Sequence, residues 1–240
     1  MGDVFITISS RNRYQGTTTN FQTKVQRQRF VDGSYTIKLI SASIPLSFYT
    51  VNSSNNTIVI GGTHYTLTPG KYSATTLCAE LSRLFVLQNP ADTTSFVVNA
   101  STGLLEIVPS ITQTFNSSTA YELLGIPAST VNLVATVKYI GTNIVKLNGV
   151  ATFYVRAPGL VRDSYSDWPG LPNDFLTSID VTEDHLNFEI QKYLPNQSPE
   201  LPLMVKILND IQIILTDEKN EEVDLNGLDT SFTFVIRKLD

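Results

Sequence analysis

Hydrophobic and polar residues alternate along most of this chain with a period of two, the pattern of half-buried β-strands. Val4-Phe5-Ile6-Thr7-Ile8-Ser9 is a first such run. A polar stretch, residues 10–20, follows it, and Phe21 to Arg29 is a second run. Tyr35 to Ile44 alternates until it meets Pro45. Thr57-Ile58-Val59-Ile60, Gly61-Gly62 and Thr63 to Leu67 predict a tight hairpin, because paired glycines supply the positive φ that two-residue turns need. Phe96 to Asn99 and Leu104 to Val108 predict another, joined through Thr102-Gly103. After residue 130 the strand pattern resumes. The runs are Leu133 to Tyr139, Ile144 to Arg156, Leu186 to Ile190, Leu203 to Leu208, Ile211 to Thr216 and Ser231 to Lys238.

The period changes in two places. Leu77, Leu81, Leu84 and Phe85 recur at helical spacing behind Ser73, a natural N-cap, and predict an amphipathic helix over 73–87 that Asn89-Pro90 ends. Thr119 and Glu122 have capping-box spacing ahead of Gly125, which predicts a short helix over 119–124. The order is therefore β, a compact α/β segment, then β again. It predicts a mainly β protein: a single jelly-roll β-sandwich made from residues 1–56 and 128–240, with a small α/β insertion at 57–127.

Composition narrows the function classes. Only 16% of the 240 residues are charged, against an ordinary ~25%. Ser, Thr, Asn and Gln fill the gap. Short polar groups cost less to desolvate against a partner than charges do. The net charge is −5, and no basic patch reaches the density of a nucleic-acid binder. Lys24, Arg27 and Arg29 on one predicted strand come nearest. A single cysteine, Cys78, rules out an internal disulfide. The first residues lack the basic start and long apolar core of a secretory signal. No apolar run approaches the roughly 20 residues a membrane-spanning helix needs.

Catalytic signals are sparse. The two histidines are His64, in a predicted hairpin, and His185, after Asp180, Glu183 and Asp184. That acidic cluster is the one candidate for enzyme or metal chemistry, but its spacing matches no convergent ligand motif. Cys78 has no neighbouring base to activate it. The acidic run Asp217 to Glu222 lacks calcium-loop spacing and reads as a hairpin tip. No catalytic residue, metal ligand or cofactor is therefore assigned. The long loop over 157–180 holds the only tryptophan, Trp168, beside Tyr165. Aromatic loop residues are favoured contact anchors, so Tyr165 and Trp168 are the candidate subunit or ligand contacts. With Tyr154 they also suit an alternative function, a jelly-roll carbohydrate-binding or fibre-type attachment module.

Several segments, in order, resemble a known family. They are Ser9-Ser10-Arg11-Asn12-Arg13, then Ile44-Pro45-Leu46-Ser47-Phe48-Tyr49, then Leu67-Thr68-Pro69-Gly70-Lys71-Tyr72. Leu123-Leu124-Gly125-Ile126-Pro127 follows, and Val223-Asp224-Leu225-Asn226-Gly227 lies close before Phe232-Thr233-Phe234-Val235-Ile236. This order resembles the penton, or minor capsid, proteins of virophages, Polinton-like elements and some giant DNA viruses of the double-jelly-roll lineage. The resemblance implies a capsid structural protein that is not an enzyme. It implies a single jelly roll forming homopentamers at the five-fold vertices of an icosahedral double-stranded DNA virus. Its partners are then copies of itself and hexon-like major capsid proteins, with no specific nucleic acid and no membrane span, and its place is the virion. Residues 10–20 are an expected contact with an adjacent capsomer.

Overall fold

The computed structural model describes residues 3–30, 33–161, 174–182, 189–193 and 199–239. The strands and helices follow in chain order. The first stretch holds β1 (Val4–Ser9), β2 (Gln15–Gly16), β3 (Asn20–Arg29) and β4 (Tyr35–Pro45). Next come β5 (Thr57–Ile60), β6 (Thr63–Thr66), α1 (Ala74–Gln88), β7 (Ser95–Val98), β8 (Leu104–Val108), β9 (Gln113–Asn116) and α2 (Tyr121–Leu124). They are followed by β10 (Val131–Leu133), β11 (Tyr139–Ile144), β12 (Thr152–Arg156) and β13 (Phe175–Asp180). The last are β14 (Ile190–Tyr193), β15 (Leu201–Pro202), β16 (Ile207–Thr216) and β17 (Ser231–Lys238).

The chain divides into two compact units, 1–48 with 150–240, and 49–149. The second is wider than the 57–127 expected from the sequence. It takes in 49–56 through a Val51–Gly70 bridge. It takes in 128–149 because β10 pairs with β9 and β11 with β8.

The first unit is a jelly roll. One sheet has the order β1-β17-β4-β14, with β15 also on β4; the other has the order β13-β12-β16-β3-β2. Of its eight principal strands, the first pairs with the last (β1–β17), the second with the seventh (β3–β16), the third with the sixth (β4–β14) and the fourth with the fifth (β12–β13). That nesting is what a doubled Greek key produces. Alternation along each strand sends one face inward. Phe21, Ile37, Leu39, Phe153, Val155, Ile213, Leu215, Phe232 and Phe234 are buried in one core. Phe21 on β3 stacks with Phe232 on β17 at 6.3 Å, joining the two sheets.

The second unit has two sheets, β10-β9-β5-β6 and β11-β8-β7, and the helix α1. Gly61 and Gly62 turn the β5–β6 hairpin at φ of +57° and +83°, a glycine-compatible conformation. Ser73 caps α1, its hydroxyl accepting from the Thr76 amide while the Thr76 hydroxyl accepts from the Ser73 amide. Leu77, Leu81, Leu84 and Phe85 fill the core, and Phe85 meets Phe96 edge-on at 4.8 Å.

Tertiary structure redraws four expected elements. The expected run 144–156 is a strand only over Thr152–Arg156, where β12 pairs with β13 and β16; Ile144 is the last residue of β11, which β8 holds, and 145–151 lie in no strand. The run 133–139 stops after Leu133, where Thr136 takes a φ of +63° and donates its amide to Pro109. The run 211–216 belongs to a longer strand, β16, which carries on through Asn209-Asp210 with a shifted register against β3 and takes only Ile207 and Leu208 from the expected run 203–208. The capping box at Thr119 does not form: its hydroxyl accepts from the Thr57 amide instead, and α2 has no side-chain cap. Gly125 does end α2, at a φ of +65°. The expected run 186–190 lies mostly outside the described residues.

Candidate functional site

One end of the sandwich is closed by hydrogen bonds between chain segments far apart in sequence. Ser9 accepts from the Arg11 amide and starts a 3-10 turn over 10–12. Ser10 is fully buried there, and its hydroxyl donates to Asp229 at 2.8 Å and accepts from the Thr230 amide at 3.0 Å. Arg13 donates to the Ser10 carbonyl at 2.8 Å. Further along, the Glu222 carboxylate accepts from Thr17, Thr19 and Asn20. Residues 10–20, expected to reach an adjacent capsomer, are thus folded onto their own chain in this structure.

The acidic run from Asp217 is a hairpin tip between β16 and the Glu222 bridge. Two of its carboxylates are spent on backbone amides. Glu218 accepts from the Ala151 and Thr152 amides at 2.6 and 2.9 Å, and Asp217 from the Lys219 and Glu221 amides at 2.9 Å.

Tyr165 and Trp168 lie outside the described residues, as do Glu183, Asp184 and His185. The strand ends that flank the Trp168 segment are described. There the Arg156 guanidinium holds Asp174 with two hydrogen bonds, and the Ala157 amide donates to the Asp174 carbonyl at 2.8 Å. Tyr154 packs on Phe175 with ring centres 5.9 Å apart. Asp180 is exposed and accepts from Thr152 at 3.0 Å. His64 is exposed on β6 opposite Val59. Cys78 is half-buried on α1, and burial pushes its thiol pKa up, against a smaller opposing effect of the Val98 backbone. That direction weakens a nucleophile at neutral pH. Among the described residues, no three His, Cys, Asp or Glu side chains come together as a metal site. No helix among them is long and apolar enough to cross a membrane.

Three surface features of the sandwich stand out; sequence reasoning named the cations of the second and missed the first and the third. The first is the outer edge of β1. Register pairs Val4 with Ile236 through Ser9 with Ser231, and the Ser10 amide donates to Thr230. In an antiparallel ladder hydrogen-bonded pairs alternate, so Ile8, Ile6 and Val4 share the β17 side with Ser10. The backbone groups of Phe5, Thr7 and Ser9 then face away from β17. Phe5 is 64% exposed. The second is β3 beyond its short pairing with β2, where Lys24, Arg27 and Arg29 are all exposed. Lys24 lies 5.5 Å above the Tyr14 ring. The third is a cleft of about 850 Å³ at the far end of the sandwich, lined by Arg29, Phe30, Tyr35, Met204, Lys206 and Leu239 among others. The uncharged sequence of β1 hinted at the first. Nothing local signalled the cleft, whose lining brings together the end of β3, the start of β4 and the stretch between β15 and β16.

No family model and no curated protein matches this chain. Among solved structures, the chain is similar to the mavirus penton protein in its selenomethionine form. The TM-score is 0.58 and the identity 10%, and the match covers 99% of this chain and 100% of that one. The chain thus shares its jelly-roll-containing fold, end to end, with a penton protein.

Proposed function

We propose that this chain is a viral capsid structural protein that forms homopentameric pentons at the five-fold vertices of an icosahedral shell. The observation that carries this reading is the likeness in fold to the mavirus penton protein, which runs the full length of both chains. The physical features support it. The chain has few charges to desolvate, and among the described residues its two sheets end in different open edges, as a ring of heterologous contacts requires. Its further partners are hexon-like major capsid proteins, and its place is the virion.

The test is the solution mass of the purified chain by light scattering after size exclusion, followed by imaging. A stable species at a five-fold multiple of 26.5 kDa, seen as a five-membered ring, is the expected result. A monomer at every concentration, with specific retention on a glycan array, would replace this reading with a carbohydrate-binding module.

A further inference from the structure

The two outer strands on one side of the sandwich are finished in opposite ways. β1 and β3 pack beside each other on that side. Beyond β2, β3 is protected as edge strands usually are. It is irregular against β16 between Lys24 and Gln28, and it carries Lys24, Arg27 and Arg29 facing solvent. β1 has none of these devices. It holds no charge and no proline, and all six residues pair with β17 without a register shift. Its open side presents the amides and carbonyls of Phe5, Thr7 and Ser9, and among the described residues nothing pairs with them. A regular, neutral edge with an exposed phenylalanine is a template for another chain.

We propose that the β1–β3 side is a docking side for a second copy of this chain, which covers the open edge of β1. The inference rests on the self-assembly reading above and names the surface that serves it. Charge identifies the occupant. The chain is acidic overall, at −5, yet this side presents three cations in a row. Among the described residues none of the three is in an ion pair, although Asp210 stands opposite Lys24 in the register. An acidic copy of the same chain meets that row with complementary charge, while like-charged sides repel. Among the described residues the fold also supplies a second open edge, β13, on the other sheet. The Val181 amide donates to Ala151, which by the same alternation leaves the backbone of Ser178 and Asp180 facing outward. Two unlike open edges on one chain permit a head-to-tail contact that closes by rotation.

Thr7→Pro tests this. It removes one outward-facing amide and no backbone bond to β17, and proline is tolerated on edge strands; the 3.1 Å contact between the Thr7 and Thr233 hydroxyls is lost as well, but Thr7→Val loses it equally and serves as the control. Light scattering on the full chain should show assembly for the wild type and for Thr7→Val, and a folded monomer that still unfolds cooperatively on heating for Thr7→Pro. If Thr7→Pro fails to fold, hydrogen exchange of the wild type decides. The amides of Phe5, Thr7 and Ser9 should exchange quickly in dilute monomer and slowly in the assembly. Assembly of Thr7→Pro like wild type, or fast exchange of those amides within the assembly, overturns the β1 docking side and leaves self-assembly standing. A wild type that is monomeric at every concentration overturns both.

Discussion

The Arg156 guanidinium grips both carboxylate oxygens of Asp174, Nε to one at 2.9 Å and Nη2 to the other at 3.1 Å. The two side chains are only 13% and 14% exposed. A third contact, Arg156 Nη1 to Asn220 at 3.2 Å, ties the pair to the acidic hairpin. One forked cation thus joins the end of β12, the start of β13 and the tip beyond β16.

Such a pair is strong because two parallel bonds share one geometry, and removing one partner leaves the other charge poorly solvated. Asp174→Ala is expected to cost the sandwich about 2–3 kcal/mol, read as a lower urea midpoint with an unchanged slope. Arg156→Lys should recover only part of the wild-type stability, because lysine offers no planar fork.

Glu222 gathers three donors from the corner that follows β1. Glu222→Ala is expected to lower stability by about 1 kcal/mol, since the site is partly open to water. It should also speed hydrogen exchange across 14–20 while leaving the β4–β17 ladder protected.

Gly125 combines a φ of +65° with a close approach: a Cβ there would sit 2.0 Å from the Asn143 carbonyl oxygen. The Gly125 carbonyl in turn accepts from the Thr142 and Asn143 amides, both at 3.0 Å, where the register of β11 against β8 shifts. Gly62 has a φ of +83° and open space around it. Gly62→Ala carries the conformational cost alone, about 1 kcal/mol. Gly125→Ala is expected to cost clearly more, and paired thermal melts of the two variants make the comparison.

Glu80 is held at a pKa of about 2, against an ordinary 4.5. The leading cause is its hydrogen bond from Arg83, which outweighs the opposing effect of burial; bonds from Thr68 add to it. A depressed carboxylate stabilises the folded state fully above its unfolded pKa. That contribution fades as pH falls from about 4.5 toward 2. Unfolding followed across this window should show the wild type losing more stability than Glu80→Gln, whose profile should be flatter.

Local pattern made most elements legible. Val4 to Ser9, Tyr35 to Ile44 and Ser231 to Lys238 alternate because one face of each is buried. Leu77, Leu81, Leu84 and Phe85 mark α1 by their spacing. Gly61-Gly62 and Gly125 announce turns because few other residues tolerate their φ. The resemblance read from scattered segments led to the same fold that the mavirus penton protein shares.

Other features depend on partners far away in the chain. Residues 144–156 read as one strand, yet only 152–156 form one, against β13 and β16, while Ile144 ends β11 against Leu104 of β8 and 145–151 lie in no strand. Thr119 has the spacing of a cap, yet Thr57, 62 residues earlier, takes its hydroxyl. The candidate docking side shows the same division most plainly. Sequence alone determined that β1 is neutral, alternating and six residues long, because those are properties of consecutive side chains. Only the tertiary structure made β1 an edge and turned the backbone of Phe5, Thr7 and Ser9 outward. Strand order and register are set by pairing with β17 more than 200 positions away, and no local pattern encodes which side of a strand stays open.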